Sequence, residues 1–211
     1  MENSPHNQNT PLLKGPLQRF VDNDPTFRLN RLAQSLNFTE YSLDDSTPNS
    51  VVRRRDGKNK ITIGTQAHTS SIVERYGMGT TDKNEQILIK LSHELAHAYQ
   101  NEKGYEKALL DYLNRTGDIP EFAVPYIELY MLLGGIGPVN GLAQESIYAA
   151  QSRVSGDLKM EALEDMTELI SAYLISDEYF LYRLDRSVTN LTNEVREFIA
   201  QKVIEICKEL D

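Results

Sequence analysis

Residues 82–101 read DKNEQILIKLSHELAHAYQN, and this stretch decides the architecture around it. Ile87, Leu88, Ile89, Leu91, Leu95, Ala96 and Ala98 fall nearly all the way round a 3.6-residue repeat, which predicts a helix inside the core rather than on its surface. A core helix is a costly place for polar groups, because each loses water without compensation unless it finds a partner. Yet this one carries His93, Glu94 and His97. Positions i and i+4 stack on one helical face, so both imidazoles can reach one Zn²⁺ at about 2.0–2.1 Å. Glu94 lies about 100° round the helix from His93, which places it poorly as a ligand and well beside a water at the metal. With 4 His and 18 Glu in 211 residues, chance would produce His-Glu-x-x-His with a probability of about 0.006.

Upstream, SVVRRRDGKNKITIG (50–64) holds two short β-leaning runs about Asp56-Gly57, which predicts a hairpin. Arg53, Arg54, Arg55, Lys58 and Lys60 make that hairpin basic. A solvated edge that resists further strand pairing explains the charge; a docking surface for an acidic partner is the other reading. Before the hairpin, Phe27, Leu29, Leu32, Ala33 and Leu36 recur at helical spacing. Residues 1–16 begin MENSPHNQNTP and read as a disordered leader, leaving 17–211 as a single domain. The leader lacks the charged start, apolar centre and cleavage site of a secretory signal. A cytoplasmic protein is expected, or one exported without a cleavable signal.

Downstream, helices are expected at 105–114, 124–133, 142–153, 160–176 and 188–210, with a Gly-rich linker at 133–141. The fold class is therefore α+β and mostly helical, a small N-terminal sheet followed by the His-Glu-x-x-His helix and its covering helices. Lys and Arg total 22 against 31 Asp and Glu, a net charge of −9, so no general nucleic-acid binding is expected. No apolar run approaches the ~18 residues of a membrane span. The one cysteine, Cys207, excludes an intramolecular disulfide and any Cys-rich zinc site.

HELAH, preceded by the β-leaning KITIG and the helix start at DKNEQ, resembles the zincin metallopeptidases. Gln100 and Lys103 stand where the lengthened metzincin motif needs Gly and His, and Cys207 lies on the wrong side of the motif for a peptide deformylase. The resemblance is therefore to the gluzincin type. It implies a zinc-dependent endopeptidase acting on a protein or peptide substrate, with His93 and His97 as ligands and Glu94 as general base. It also implies a substrate strand laid along a sheet edge, expected near 61–65, and a Glu ligand from a downstream helix. MEALEDMTELISAYLIS (160–176) fits that helix. Glu168 shares a face with Ser171, Ala172 and Ile175, and is the expected third ligand; Glu164 shares its face with Glu161 and Glu168 and reads as wet. Asp165, Glu164 and His68 follow Glu168 in that order. Tyr173, Tyr179, Tyr182 and Arg183 are candidate oxyanion donors, with no choice among them. Small cytosolic zincins that cut repressors and metalloprotease effectors delivered into host cells both have this character. The rival reading is a catalytically silent zincin shell that binds and regulates another protein.

Overall fold

Asp82 opens the central helix by accepting the backbone N–H groups of Asn84 and Glu85 at 2.8 and 3.0 Å, an N-cap that satisfies two donors the helix itself cannot. The helix ends at Gly104, whose φ of 73° lies in the left-handed region that glycine enters without a Cβ penalty. In the computed structural model, which describes residues 24, 26–36, 38–55, 58–75, 78–114, 118–135, 158–187 and 192–211, the elements in chain order are α1 (Arg28–Ser35), β1 (Phe38–Asp44), β2 (Val51–Arg55), β3 (Lys58–Gly64), α2 (Ser70–Arg75), α3 (Lys83–Lys103), α4 (Tyr105–Leu113), α5 (Val124–Gly135), α6 (Leu158–Ile175), α7 (Asp177–Ser187) and α8 (Asn193–Cys207). This is a mostly helical α+β fold, as the sequence implies. The leader, the turn at 56–57 and the helix expected at 142–153 lie outside the described residues.

The sheet has the order β1-β3-β2. β2 and β3 form the expected hairpin, with Val52 opposite Ile61 and Arg53 opposite Lys60. β1 adds to the other side of β3 in parallel, Tyr41 opposite Ile61 and Leu43 opposite Ile63. The stretch at 61–65, expected to be an edge, therefore belongs mostly to the central strand; its backbone is spent on two neighbours. Among the described residues the outer edges are those of β1 and β2.

α3 packs against β2 and β3 on one side and against α6 on the other. Leu91, Leu95, Tyr99, Ile61, Ile63, Met166, Leu169 and Ile170 are fully enclosed between these layers. Lys90 ties the helix to the sheet, its Nζ donating to the carbonyls of Gly64 at 3.0 Å and Gln66 at 2.8 Å. Gly64 is required there: a Cβ on it would sit 2.2 Å from the backbone oxygen of Asn49. The α3–α6 seam is pinned by buried neutral pairs. Ser92 and Ser171 share a hydroxyl hydrogen bond of 2.7 Å, and Gln100 Nε2 donates to Thr167 Oγ1 at 2.9 Å. Rising numbers on α3 meet falling numbers on α6, so the helices run antiparallel. Arg28 joins α1 to the end of the chain, paired with Asp177 at 2.6 Å and Asp211 at 2.7 Å, over the ring of Tyr173.

Candidate metal centre

α3 presents His93 and His97 toward α6 with their Nε2 atoms 3.1 Å apart. Across the seam, Glu164 brings Oε2 to 3.6 Å from His93 Nε2 and Oε1 to 3.6 Å from His97 Nε2. Donors held about 2.0–2.1 Å from one tetrahedral ion lie about 3.3 Å from each other by trigonometry. The observed separations, one between the imidazoles and one to each oxygen of the Glu164 carboxylate, lie close to that value, and these three residues form a group able to hold a metal ion. Glu164 is only 5% exposed, and its Oε2 is buried with no hydrogen-bond partner. A buried carboxylate oxygen left this way is costly, and a cation at the focus of the three groups removes the cost.

The tautomers are set from behind. His93 Nδ1 lies 3.1 Å from Glu168 Oε1, so Nδ1 donates outward and Nε2 is the nitrogen turned to the focus, where a metal would displace its proton. Thr167 Oγ1 stands 3.5 Å from His97 Nδ1 and does the same, more loosely, for the second ring. Glu168 is itself held by Arg183, whose Nη2 lies 3.2 Å from Oε2 and which is 2% exposed. Burial raises the Glu168 carboxyl, but His93 and Arg183 outweigh it and hold it down at about 2. Burial lowers the His93 imidazole, yet Glu168, Glu164 and Glu94 outweigh that and lift it to about 10. Glu164 shows the same contest: burial raises it, and the two imidazoles bring it below the ordinary value. The surroundings favour a positive charge at this point.

Glu94 is 4% exposed and stands apart from this group, toward the sheet. Burial raises its carboxyl above the ordinary range, against the pull of His93, His97 and a hydrogen bond from the backbone of Val52 on β2. No family model matches the chain, and neither a curated protein nor a solved structure matches it. The chemistry of the site therefore rests on its own geometry.

Against the sequence reading, His93 and His97 converge as the spacing requires. Glu164 joins them, whereas Glu168 occupies the far nitrogen of His93. The face of Glu164 is not wet, because α3 covers it. Asp165 is buried on α6 outside the group. His68 is also outside it; its backbone N–H donates to Gln86 Oε1 at 2.7 Å, and burial and Lys90 both lower its imidazole. Among the candidate oxyanion donors, Tyr173 is bound to both carboxylate oxygens of Asp211 and Arg183 to Glu168. Tyr179 and Tyr182 line a separate cavity of about 390 Å³ with Leu88, Ile89 and Ile175.

Proposed function

We propose that this protein is a zinc-dependent endopeptidase in which His93, His97 and Glu164 hold the metal and Glu94 is the general base. The observation that carries the reading is two imidazole nitrogens 3.1 Å apart that share one carboxylate, each 3.6 Å from a different oxygen of Glu164, beside a buried carboxylate that is not part of the set. A donor set of two imidazoles and one carboxylate is that of catalytic zinc with a position left open. Zinc bound there would polarise a peptide carbonyl and make a nearby water more acidic.

Glu94 takes the proton from water and returns it to the departing amine. Its raised carboxyl suits both transfers, since a base serves best when its affinity for the proton lies near the working pH. The Val52 backbone hydrogen bond fixes its direction. Glu168 and Arg183 keep His93 in the tautomer and orientation the site needs, and Thr167 supports His97. These are positioning roles, behind the ligands rather than at the substrate.

The test pairs metal content with hydrolysis. Protein purified without chelator should contain one zinc per chain and cut an unfolded protein such as casein. Glu94→Gln keeps the shape of the side chain but cannot accept a proton at neutral pH, so zinc should stay and hydrolysis should fall at least ~10²-fold. Wild type without zinc, or Glu94→Gln with full activity, refutes the proposal.

A further inference from the structure

The outer edge of β2 lies at the site, and its composition is unlike the rest of the chain. β2 reads VVRRR, a net charge of +3 in five residues of a protein whose total is −9. Val52 gives its backbone hydrogen bond to Glu94. In an antiparallel pair, backbone groups point alternately toward and away from the partner strand. The N–H of Val52 thus points away from β3, and so does that of Arg54, two positions on. Val52 packs its side chain on the core while Arg53 is exposed on the other face. Among the described residues β2 pairs with β3 alone; the Val52 N–H is spent on Glu94, and the outward groups from the Val52 carbonyl to Arg54 are a template for one more strand. The other outer edge of the sheet, β1, carries Glu40 and Asp44 and lies on the far side of β3. Charge of either sign would blunt an edge against aggregation; here the positive one is the edge at Glu94.

We infer that the substrate is an extended acidic peptide segment, which adds to the outer edge of β2 with Asp or Glu residues on the side of exposed Arg53 and the bond to be cut beside Val52. This rests on the peptidase reading for the cut but not for the binding. The five residues of β2 span about 17 Å, room for about five substrate residues. The acidic positions fall within about two to four residues of the scissile bond, on one side of it, because the arginines follow Val52 in one direction only. An acidic segment is repelled by most of this protein, so the basic strand also steers it to the site.

Binding is measured by fluorescence anisotropy on full-length, zinc-loaded Glu94→Gln protein, which should hold peptide without cutting it. The probes are a labelled peptide of about 12 residues with four spaced Glu, and the same peptide with Gln in their place. The Glu peptide should bind about 10-fold tighter at low salt, with the advantage lost near 0.5 M salt. Arg53→Glu/Arg55→Glu should abolish the preference, and Arg53→Gln/Arg55→Gln should reduce it with the thermal midpoint unchanged. Equal binding of the two peptides, or a preference that survives both double variants, overturns the inference. So does competition by oligo-dT of the same length as strong as that of the Glu peptide, which would make the edge a general polyanion site. Hydrolysis of the same peptides by protein with Glu94 intact separates the two readings. A binding preference without cleavage keeps this inference and sinks the peptidase; cleavage without preference does the reverse.

Discussion

Exchanging Glu164 and, separately, Glu168 for Gln distinguishes a ligand from its support, and the geometry sets the order of the effects. From Glu168 Oε1 to His93 Nδ1 is 3.1 Å; adding the ring and a metal–nitrogen bond puts a cation about 6–7 Å from that carboxylate. A carboxylate behind a liganding histidine is worth about 10–100-fold in metal affinity, or about 1.4–2.7 kcal/mol. Glu164 reaches the same cation directly, at about 2.1 Å. Coulomb energy scales inversely with distance, so its contribution is about threefold larger, or at least about 4 kcal/mol. Glu164→Gln should therefore weaken zinc binding by about 10³-fold or more, and Glu168→Gln by about 10–100-fold. Both substitutions keep the side-chain shape, but Glu168→Gln removes the charge facing buried Arg183 and should lower the thermal midpoint, so both titrations are run well below it. A competition titration against a chromophoric zinc chelator at fixed pH reads both numbers. If Glu168→Gln loses as much as Glu164→Gln, the three-residue focus is not the metal site and Glu168 is a ligand after all.

Two further expectations concern the frame that holds the site. Burial lowers the Lys90 ammonium to about 8, with Lys83 adding to the effect. The unfolded chain then binds more protons between about pH 8 and 10.5, so this group's contribution to stability rises with pH across that window and is flat below it. The difference in unfolding free energy between wild type and Lys90→Met should follow that curve in denaturant titrations; a difference independent of pH would refute it. Gly64→Ala places a methyl against the Asn49 carbonyl and should cost about 2 kcal/mol or more, seen as a lower thermal midpoint, whereas an unchanged midpoint would mean that the loop at 47–49 yields freely.

The elements legible in the sequence are those whose signal is local. α3 carries its cap, its apolar periodicity and its terminal glycine within one stretch, and the β2–β3 hairpin carries its turn between two β-leaning runs. β1 has no such signal. FTEYSLD mixes charged and apolar residues, and it becomes a strand by pairing in parallel with a partner about twenty residues on, helped by the Ser42–Thr62 hydroxyl pair at 2.9 Å. That partner is also what turns 61–65 from an edge into the centre of the sheet. α7 did leave a signal: Ser176 accepts the N–H of Tyr179 at 3.0 Å, and Asp177 and Glu178 occupy the first turn. Read as a start rather than the end of the preceding helix, Ser176-Asp177-Glu178 marks an N-terminus.

The place of Glu164 beside the two histidines illustrates what a single helix cannot encode. Glu164 and Glu168 lie four residues apart on one face of α6, and counting apolar neighbours on that face favours Glu168. The count assumes that two acids on one face meet water. Instead α3 supplies two imidazoles and α7 supplies Arg183, so both carboxylates are enclosed, Glu168 between His93 and Arg183 and Glu164 against the two imidazoles with its Oε2 left without a hydrogen bond. What separates them is their height along α3. The Ser92–Ser171 and Gln100–Thr167 hydrogen bonds fix that height, and they set Glu164 level with both Nε2 atoms and Glu168 one turn further, at Nδ1 of His93. Sliding α6 by one turn, about 5.4 Å, would exchange the two glutamates and break both neutral pairs. Which glutamate faces both Nε2 atoms thus depends on a serine pair and a Gln–Thr pair that bear no charge.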